Sequence, residues 1–241
     1  MLFTPAVAQE TAPTARSSTK AANSAKLIFH DDFQRNESQE EREELGGKWS
    51  TNSTKRANGN KQLDLRDGAL YIYRHKTADH GVSLVHPAKY RDCRVELRFR
   101  LDERSDDIGI DFADLTCKEV HAGHICKVNF RPDGIEILDF KYGRMKKSYR
   151  DAARAGKATE AQKTEAAKFQ RKFKQAIELG KWHSAVVTIR SDTLSVSLDG
   201  KDVGSFRSPG IAHPAKDTIR FSARANAWMD DVKMVALTEP T

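Results

Sequence analysis

The segment from Asp92 to Lys141 constrains the fold more than any other, because its residues alternate between apolar and polar. Through 93–101 every second residue is apolar and the residues between them are mostly charged. The alternation returns in 107–112 and 124–131, and Pro132-Asp133-Gly134 then turns the chain into a further apolar run. A period of two residues indicates a strand with one face in a core and the other in water. The segment therefore predicts a four-strand meander whose apolar face must be covered by a second layer.

Similar patterns occur on both sides of this segment. Apolar and polar residues alternate through 183–189 and 194–198, and the pairs Asp67-Gly68 and Asp199-Gly200 are typical of tight hairpin turns. Short strands at this spacing, about twelve to fourteen in all, favour a sandwich. The predicted fold class is all-β, with one large domain over residues 27–241 of the 241-residue chain.

The N-terminal residues predict export. Ala6-Val7-Ala8 followed by Gln9 is similar to a signal-peptidase site, and residues 9–26 are rich in Ala, Ser and Thr. We expect residues 1–26 to be the remnant of an export signal and a flexible linker, which predicts a secreted or periplasmic protein. A short N-terminal segment without a signal is the alternative. No run approaches the roughly 18 apolar residues of a membrane span, so none is predicted.

A basic helical insertion is predicted at about 143–180. This segment holds eleven Lys or Arg against four Asp or Glu, which accounts for the whole net charge of +7. Thr159 and Gln162 form a capping-box signature, and an apolar stripe with helical spacing follows. The stripe consists of Ala166, Phe169, Phe173 and Ile177. Basic helices suit an anionic polymer, but without interleaved aromatic residues nucleic acid is not the expected partner.

The polar face of the meander supplies the candidate site. Sugar cleavage requires carboxylates or a histidine as acid and base, and cationic or amide side chains bind sugar hydroxyls. The candidate catalytic residues are Glu96 and Asp111 on the meander, His124 at a strand start and His80 in a loop. The candidate substrate-binding residues are Arg98, Arg100, Lys127 and Asn129. The alternative is a solvated sheet face with weak cross-strand ion pairs.

Metal and disulfide sites are also candidates. Cys93 is expected to be a buried thiol, whereas Cys117 and Cys126 flank a hairpin loop and could form a disulfide in an exported protein. With His121 and His124 the same two cysteines form a candidate zinc set. Four carboxylates on the terminal strands suit calcium, and Asp32 and Asp231 are the candidate ligands. These four are Asp31, Asp32, Asp230 and Asp231. Of these two metals, calcium is the one we retain as a possible cofactor, and a solvated acidic surface is the alternative.

Several short motifs occur in an order typical of one family. They are Phe29-His30-Asp31-Asp32-Phe33 followed by Trp49, Asp67-Gly68-Ala69-Leu70, the stretch 90–100, Gly180-Lys181-Trp182-His183, Leu198-Asp199-Gly200-Lys201 and Met229-Asp230-Asp231-Val232. Residues 27–237, apart from the insertion, resemble the concanavalin A-like jelly rolls of the 3-keto-disaccharide hydrolase family, which are secreted bacterial domains. The resemblance implies two antiparallel sheets, one of them concave and binding sugar. The Glu-x-Asp-x-x-Glu motif of family 16 glucanases is absent from the sequence.

Three functions remain open from the sequence. The first is an exported carbohydrate-active enzyme similar to 3-keto-glycoside hydrolases, acting on an oligo- or polysaccharide at the concave face. The second is a non-catalytic, lectin-like sugar-binding module. The third is a structural protein whose helices bind a partner. A wide polar groove favours the first two, and a face plugged by the helices favours the third.

Overall fold

The computed structural model describes residues 25–238, in which strands are the most frequent element. The strands are β1 (Ala25–Asp31), β2 (Ser50–Thr51), β3 (Leu63–Arg66), β4 (Ala69–Tyr73), β5 (Val82–Tyr90), β6 (Asp92–Arg100), β7 (Ile108–Ala113), β8 (His124–Arg131), β9 (Gly134–Asp139), β10 (Gln170–Phe173), β11 (His183–Arg190), β12 (Thr193–Leu198), β13 (Lys201–Arg207), β14 (Lys216–Ala223) and β15 (Asn226–Leu237). The helices are α1 (Ser53–Arg56), α2 (Lys147–Arg154) and α3 (Glu160–Ala167), with a 3-10 turn at His121–Gly123.

The strands form two antiparallel sheets, as the sequence predicts. Sheet A has the order β13-β12-β11-β6-β15-β4-β3, and β1 pairs with the second half of β15. Sheet B has the order β10-β9-β8-β7-β14-β5-β2. The predicted hairpin at Asp67-Gly68 is confirmed, since both residues have positive φ and join β3 to β4.

The core lies between the two sheets and contains the apolar members of the alternating strands. Sheet A contributes Val95, Leu97, Phe99, Val187 and Met229, and sheet B contributes Ile110, Phe112, Val128, Phe130 and Phe221. Removing one such side chain from water stabilises the fold by about 1.5–3 kcal/mol. The alternation thus determines which face of each strand is buried.

The predicted four-strand meander is wrong in one respect. β6 belongs to sheet A, between β11 and β15, whereas β7, β8 and β9 form a three-strand meander in sheet B. The chain crosses from one sheet to the other between Leu101 and Asp107. The polar residues of β6 therefore lie on the opposite side of the sandwich from those of β7 and β8.

The insertion contains less helix than the sequence predicts. The capping box is confirmed, because Thr159 Oγ1 accepts from the Gln162 backbone and Gln162 Oε1 accepts from the Thr159 backbone. However, α3 ends at Ala167, and β10 then pairs with β9, so the predicted apolar stripe of one helix does not form. The open edge of β9 offers unpaired backbone groups, and pairing with them competes with continuing the helix. Neither α2 nor α3 has a buried residue.

The N-terminal prediction lies almost wholly outside the described residues. Residues 1–24 are not described, and β1 begins at Ala25, so Ala25 and Lys26 belong to a strand rather than to the predicted linker. Within residues 25–238, no helix has the length and apolar character needed to cross a membrane.

We expect the two helices to be dispensable for folding, whereas β10 is not. A Cβ placed on Gly143 would lie 3.0 Å from Phe169 Cβ, so a two-glycine link can replace residues 144–168. This variant should unfold cooperatively with a melting temperature near the parent value. Extending the deletion to residue 178 also removes β10 and the buried Ile177, and should lower the free energy of unfolding by about 2–4 kcal/mol. Equal stability of the two variants in urea titrations would contradict this role of β10.

Candidate functional site

The outer face of sheet B carries polar side chains that are buried although they point away from the core. Asp111 and Asn129 are each 3% exposed, and Glu136 is 6% exposed. Lys127 lies directly opposite Asp111, and Asn129 lies opposite both Gly109 and Glu136. Buried polar groups on an outer face are costly unless paired, so this face is a candidate site.

Asp111 and His124 form a hydrogen-bonded pair at the centre of this candidate site. Asp111 Oδ2 lies 2.5 Å from His124 Nδ1, and the carboxylate is buried while the imidazole is partly exposed. A carboxylate can only accept here, so Nδ1 carries the proton and Nε2 keeps its lone pair. Nε2 has no hydrogen-bond partner among residues 25–238. The pair has the composition of a histidine base held in one tautomer by a carboxylate.

A β-bulge places His124 on this face. The register runs Asp111 to Lys127 and Phe112 to Cys126, but Ala113 then pairs with His124, so Ile125 is the extra residue. Strict alternation puts His124 on the core side with Cys126, and the bulge reverses that assignment. His124 therefore reaches Asp111 only because the strand is irregular at its start.

Arg220 flanks the pair from β14. Its Nη1 lies 3.2 Å from His124 Nδ1 and 3.7 Å from Asp111 Oδ1, and its Nη2 donates to Ala122 O at 2.8 Å. Asp111 Oδ1 is buried without a hydrogen-bond partner within the described residues. The guanidinium holds positive charge beside this buried carboxylate.

Arg220, which contacts the pair, also lines a cavity of about 400 Å³, although Asp111 and His124 themselves do not line it. Its lining includes Val120, His121, Lys147, Asp151 and Arg220. Partial burial lowers the pKa of His121, and the nearby Arg150 and His124 lower it further. The volume lies in the range of small-molecule sites.

The Lys127 side chain extends from β8 across β7 and reaches β14. Its Nζ donates to Ser222 Oγ on β14 at 2.8 Å, and the side chain passes over Gly109 on β7. A Cβ on Gly109 would collide with this side chain and lie 2.6 Å from Asn129 Oδ1. Burial lowers the pKa of Lys127, although Asp111 and Asp107 oppose that shift.

The structure adds residues that the sequence-based prediction omits. Arg220 and Ser222 belong to the alternating stretch Thr218–Ser222, in which Ile219 and Phe221 face the core. That pattern is visible in the sequence, and only the pairing of β14 with β7 connects it to Asp111. Glu136 has the same signal, because it lies between the core-facing Ile135 and Ile137, whereas Arg144 has none, because its position depends on the insertion.

Three predicted site residues lie on the other sheet. Glu96, Arg98 and Arg100 point outward from β6 in sheet A, so they are not neighbours of Asp111, and this part of the predicted site is wrong. The Arg100 guanidinium lies 4.5 Å from the Trp228 ring centroid and 5.6 Å from that of Trp182. These stacked contacts stabilise the surface of sheet A.

His80 is also separate from the pair. It is exposed, its Nδ1 lies 2.9 Å from Gly81 O, and Gly81 adjoins Ala223 at the end of β14. His124 lies toward the other end of the face, beyond Arg220. The structure therefore brings together Asp111, His124, Lys127 and Asn129 from the predicted set.

The predicted metal and disulfide sites do not form within the described residues. No group of three or more His, Cys, Asp or Glu side chains is placed to hold a metal ion there, and all three cysteines are free. Cys126 faces the core, where burial raises the thiol pKa, whereas His124 faces outward, which separates the candidate zinc ligands.

The candidate calcium ligands are separated by other partners. β1 and β15 do lie side by side, as predicted, but Arg98 Nη1 lies 3.1 Å from Asp230 Oδ2 and 3.5 Å from Asp231 Oδ2. Asp31 binds Arg35 and the Trp49 indole instead. The Arg98 guanidinium thus already neutralises Asp230 and Asp231, and Asp231 is one of the two candidate calcium ligands. The residues present therefore do not fit calcium.

The fold and site define a jelly-roll β-sandwich with a polar outer face on one sheet. Residues 41–239 match the model of the 3-keto-alpha-glucoside-1,2-lyase-like domain, and the chain belongs to that family. No curated protein matches the chain.

Solved structures agree on the fold at low sequence identity. The laminarinase from Rhodothermus marinus has a TM-score of 0.58 at 14% identity, covering 90% of this chain and 99% of that one. A carbohydrate binding module from Bacillus subtilis has a TM-score of 0.51 at 12% identity, covering 78% and 94%. A sialidase matches with a TM-score of 0.50 at 11% identity, over 72% of this chain but only 16% of its own length. These likenesses confirm the predicted concanavalin A-like jelly roll.

We expect Lys127→Met to stabilise the protein at neutral pH. The ammonium is charged there in both states, and its burial in the folded protein is not fully compensated, since its pKa is lowered from 10.5. Removing the charge should raise the free energy of unfolding at pH 7 by about 0.5–2 kcal/mol. The folded parent releases the proton before the unfolded chain does, so this difference should shrink as the pH rises toward 10.5.

The control for this comparison is Lys89→Met, which removes an exposed ammonium from β5. Urea titrations across the pH range provide the measurement. A Lys127→Met variant less stable than the parent at pH 7 would show that Ser222 and the carboxylates compensate the buried charge.

Proposed function

We propose that this protein cleaves a 3-keto-glycoside by elimination, with His124 as the general base. The observation that carries the proposal is the Asp111–His124 pair, whose Nε2 has no hydrogen-bond partner among residues 25–238. Arg220, which contacts the pair, also lines a cavity of about 400 Å³. Membership in a family described by 1,2-lyase chemistry supports the reaction type.

The reaction needs a base because the ketone makes one carbon–hydrogen bond acidic. A carbonyl at C3 of the sugar acidifies the proton on C2, and a base removes it to give an enolate. The electron pair then forms the C1–C2 double bond while the C1–O bond to the leaving group breaks. The departing oxygen takes up a proton, so the products are an unsaturated keto-sugar and a free alcohol or sugar.

His124 has the features of that base. Asp111 fixes the tautomer through Nδ1 and stabilises the imidazolium that forms when Nε2 takes the C2 proton. The same imidazolium can return its proton to the leaving oxygen, as acid and base roles alternate in such reactions.

Two cations flank the pair and would oppose the charge of the enolate. Arg220 contacts the imidazole edge, and Lys127 lies opposite Asp111 on the adjacent strand. Fixed positive charge in a partly desolvated site stabilises a developing oxyanion more than water does. This proposed role would explain why the charged Lys127 is buried although its burial lowers the stability of the folded protein.

A non-catalytic sugar-binding module is the second candidate function. It is favoured by a second cavity of about 450 Å³, to which Arg131 of the same strand as His124 contributes, so a ligand-sized space exists away from the pair. The third function, a structural protein whose helices bind a partner, would be favoured by helices that plug the face, and α2 and α3 bury none of their own residues.

The test uses a 3-keto-α-glucoside with a chromophoric leaving group. The parent should release the leaving group together with a conjugated enone, which distinguishes elimination from hydrolysis. His124→Gln and Asp111→Asn should lower kcat by about 10²–10⁴-fold and leave the dissociation constant nearly unchanged. A matched control is His30→Gln, an exposed histidine on sheet A, which should keep the parent rate. His80→Gln should also keep it.

Two outcomes would contradict elimination at this site. Full turnover by His124→Gln removes the base from the proposal. Tight binding of the keto-sugar without turnover by the parent would instead favour the sugar-binding module.

A further inference from the structure

Cations continue along the outer face of sheet B beyond the Asp111–His124 pair. We call Lys127, Arg131, Arg144, Arg150 and Arg224 the cationic track. Lys127 and Arg131 lie four residues apart on β8, a span of about 13 Å. Arg144 and Arg150 come from the insertion, and Arg224 follows β14. The track therefore draws on three separate parts of the chain.

Few of these cations have anionic partners. Arg131 Nη1 lies 3.5 Å from Glu136 Oε2, and Arg224 Nε donates to Asp107 at 2.7 Å. Lys127 donates only to Ser222 within the described residues. Arg144 lies over the Phe140 ring at 5.1 Å, and neither it nor Arg150 has a carboxylate within ion-pair distance in residues 25–238.

Two N–H groups of the track lack an acceptor altogether. Arg131 Nε and Arg150 Nε are buried without a hydrogen-bond partner in the described part of the chain. An unsatisfied buried donor is unfavourable, so native structures rarely keep one unless a ligand, ion or water completes it. Both groups are suited to an oxygen ligand.

The like charges are close enough to affect one another. Desolvation lowers the pKa of Arg144, Glu136 opposes the shift, and the nearby Arg131, Arg150 and Arg224 add to it. A bound anion would relieve this repulsion. The charges alone do not specify which anion binds.

The track ends in a second cavity of about 450 Å³. Arg104, Arg131 and Arg224 line it together with Asp106 and Asp133. The Asp106 carboxylate already accepts from the backbone of Asp102, Glu103 and Asn226, and Asp133 is exposed on a turn. The lining of this cavity therefore contains three arginines and two carboxylates, of which Asp106 is already hydrogen-bonded.

We infer that the cationic track is a subsite for an acidic oligosaccharide, whose carboxylate or sulfate groups bind Lys127 and the arginines while a neighbouring sugar occupies the Asp111–His124 end. The inference names the substrate class of the site and rests on the proposed function for the position of the reacting sugar. Guanidinium groups bind both carboxylate and sulfate through paired N–H donors.

The test measures binding, so it does not require turnover. The probes are an oligogalacturonate hexasaccharide, a sulfated carrageenan oligosaccharide, neutral cellohexaose and a single-stranded oligonucleotide of matched charge. At low ionic strength the parent should bind one of the acidic sugars at least tenfold more tightly than cellohexaose. Added salt should reduce that preference. The relative affinities of the first two probes distinguish a carboxylate ligand from a sulfate ligand.

The discriminating variant is Arg144→Gln/Arg150→Gln, which removes two charges from the track without breaking an ion pair of the described residues. Its affinity for the acidic sugar should fall at least tenfold, while its affinity for cellohexaose stays unchanged. The control is Lys163→Gln/Lys168→Gln, which removes the same charge from exposed positions on α3 and the residue after it. The control should bind like the parent.

The outcomes separate this inference from the proposed function. Equal affinity of the parent for acidic and neutral sugars, or equal losses in the variant and its control, would overturn the subsite. Tighter binding of the oligonucleotide than of either acidic sugar would overturn its assignment to a glycan. If the acidic sugar binds through Arg144 and Arg150 but no 3-keto-glycoside is cleaved, the subsite stands and the proposed elimination fails.

Discussion

Every strand of the sandwich must turn its apolar residues toward the space between the sheets, and this constraint decides where each polar residue can lie. In β6 it fixes Val95, Leu97 and Phe99 inward and sends Arg98 outward from sheet A. In β7 it fixes Ile110 and Phe112 inward and sends Asp111 outward from sheet B. The two outer faces then develop different surfaces. Aromatic and arginine side chains stack on sheet A, and buried charges gather on sheet B.

The alternation predicts the strands, the sandwich and the inward residues, because burial of apolar surface is a local requirement that each strand must meet by itself. It does not predict which strands pair. β6 and β7 are consecutive and similarly patterned, yet the connection after Leu101 carries the chain to the other sheet. Pairing of strands far apart in sequence depends on the whole fold, so Glu96 could not be separated from Asp111 by pattern alone. For the same reason, the pairing of Arg220 with Asp111 was not predictable.

Irregular positions account for the remaining differences between the sequence-based prediction and the structure. By strict alternation with Cys126, His124 should face the core. The extra residue of the β-bulge, Ile125, turns His124 outward to Asp111 instead. The apolar residues after Ala167 have helical spacing, but this segment forms a strand, β10, that pairs with the open edge of β9. In both cases a backbone requirement outweighs the periodicity of the side chains. Functional groups often occur where a local rule fails, which is consistent with the role proposed for His124.

The insertion connects these observations to function. Its helices bury none of their own residues, so their stability contribution to the sandwich is small. The insertion nevertheless brings Arg144, in the turn before α2, and Arg150, on α2, close to one another and Arg144 close to Arg131. A protein selected only for stability would pair or remove these charges, because mutual repulsion and unsatisfied N–H groups both raise the free energy of the folded state. Retaining them is understandable if a ligand supplies the missing negative charge. The same argument explains why Gly109 leaves room for Lys127 to lie across β7, where any larger residue would displace it.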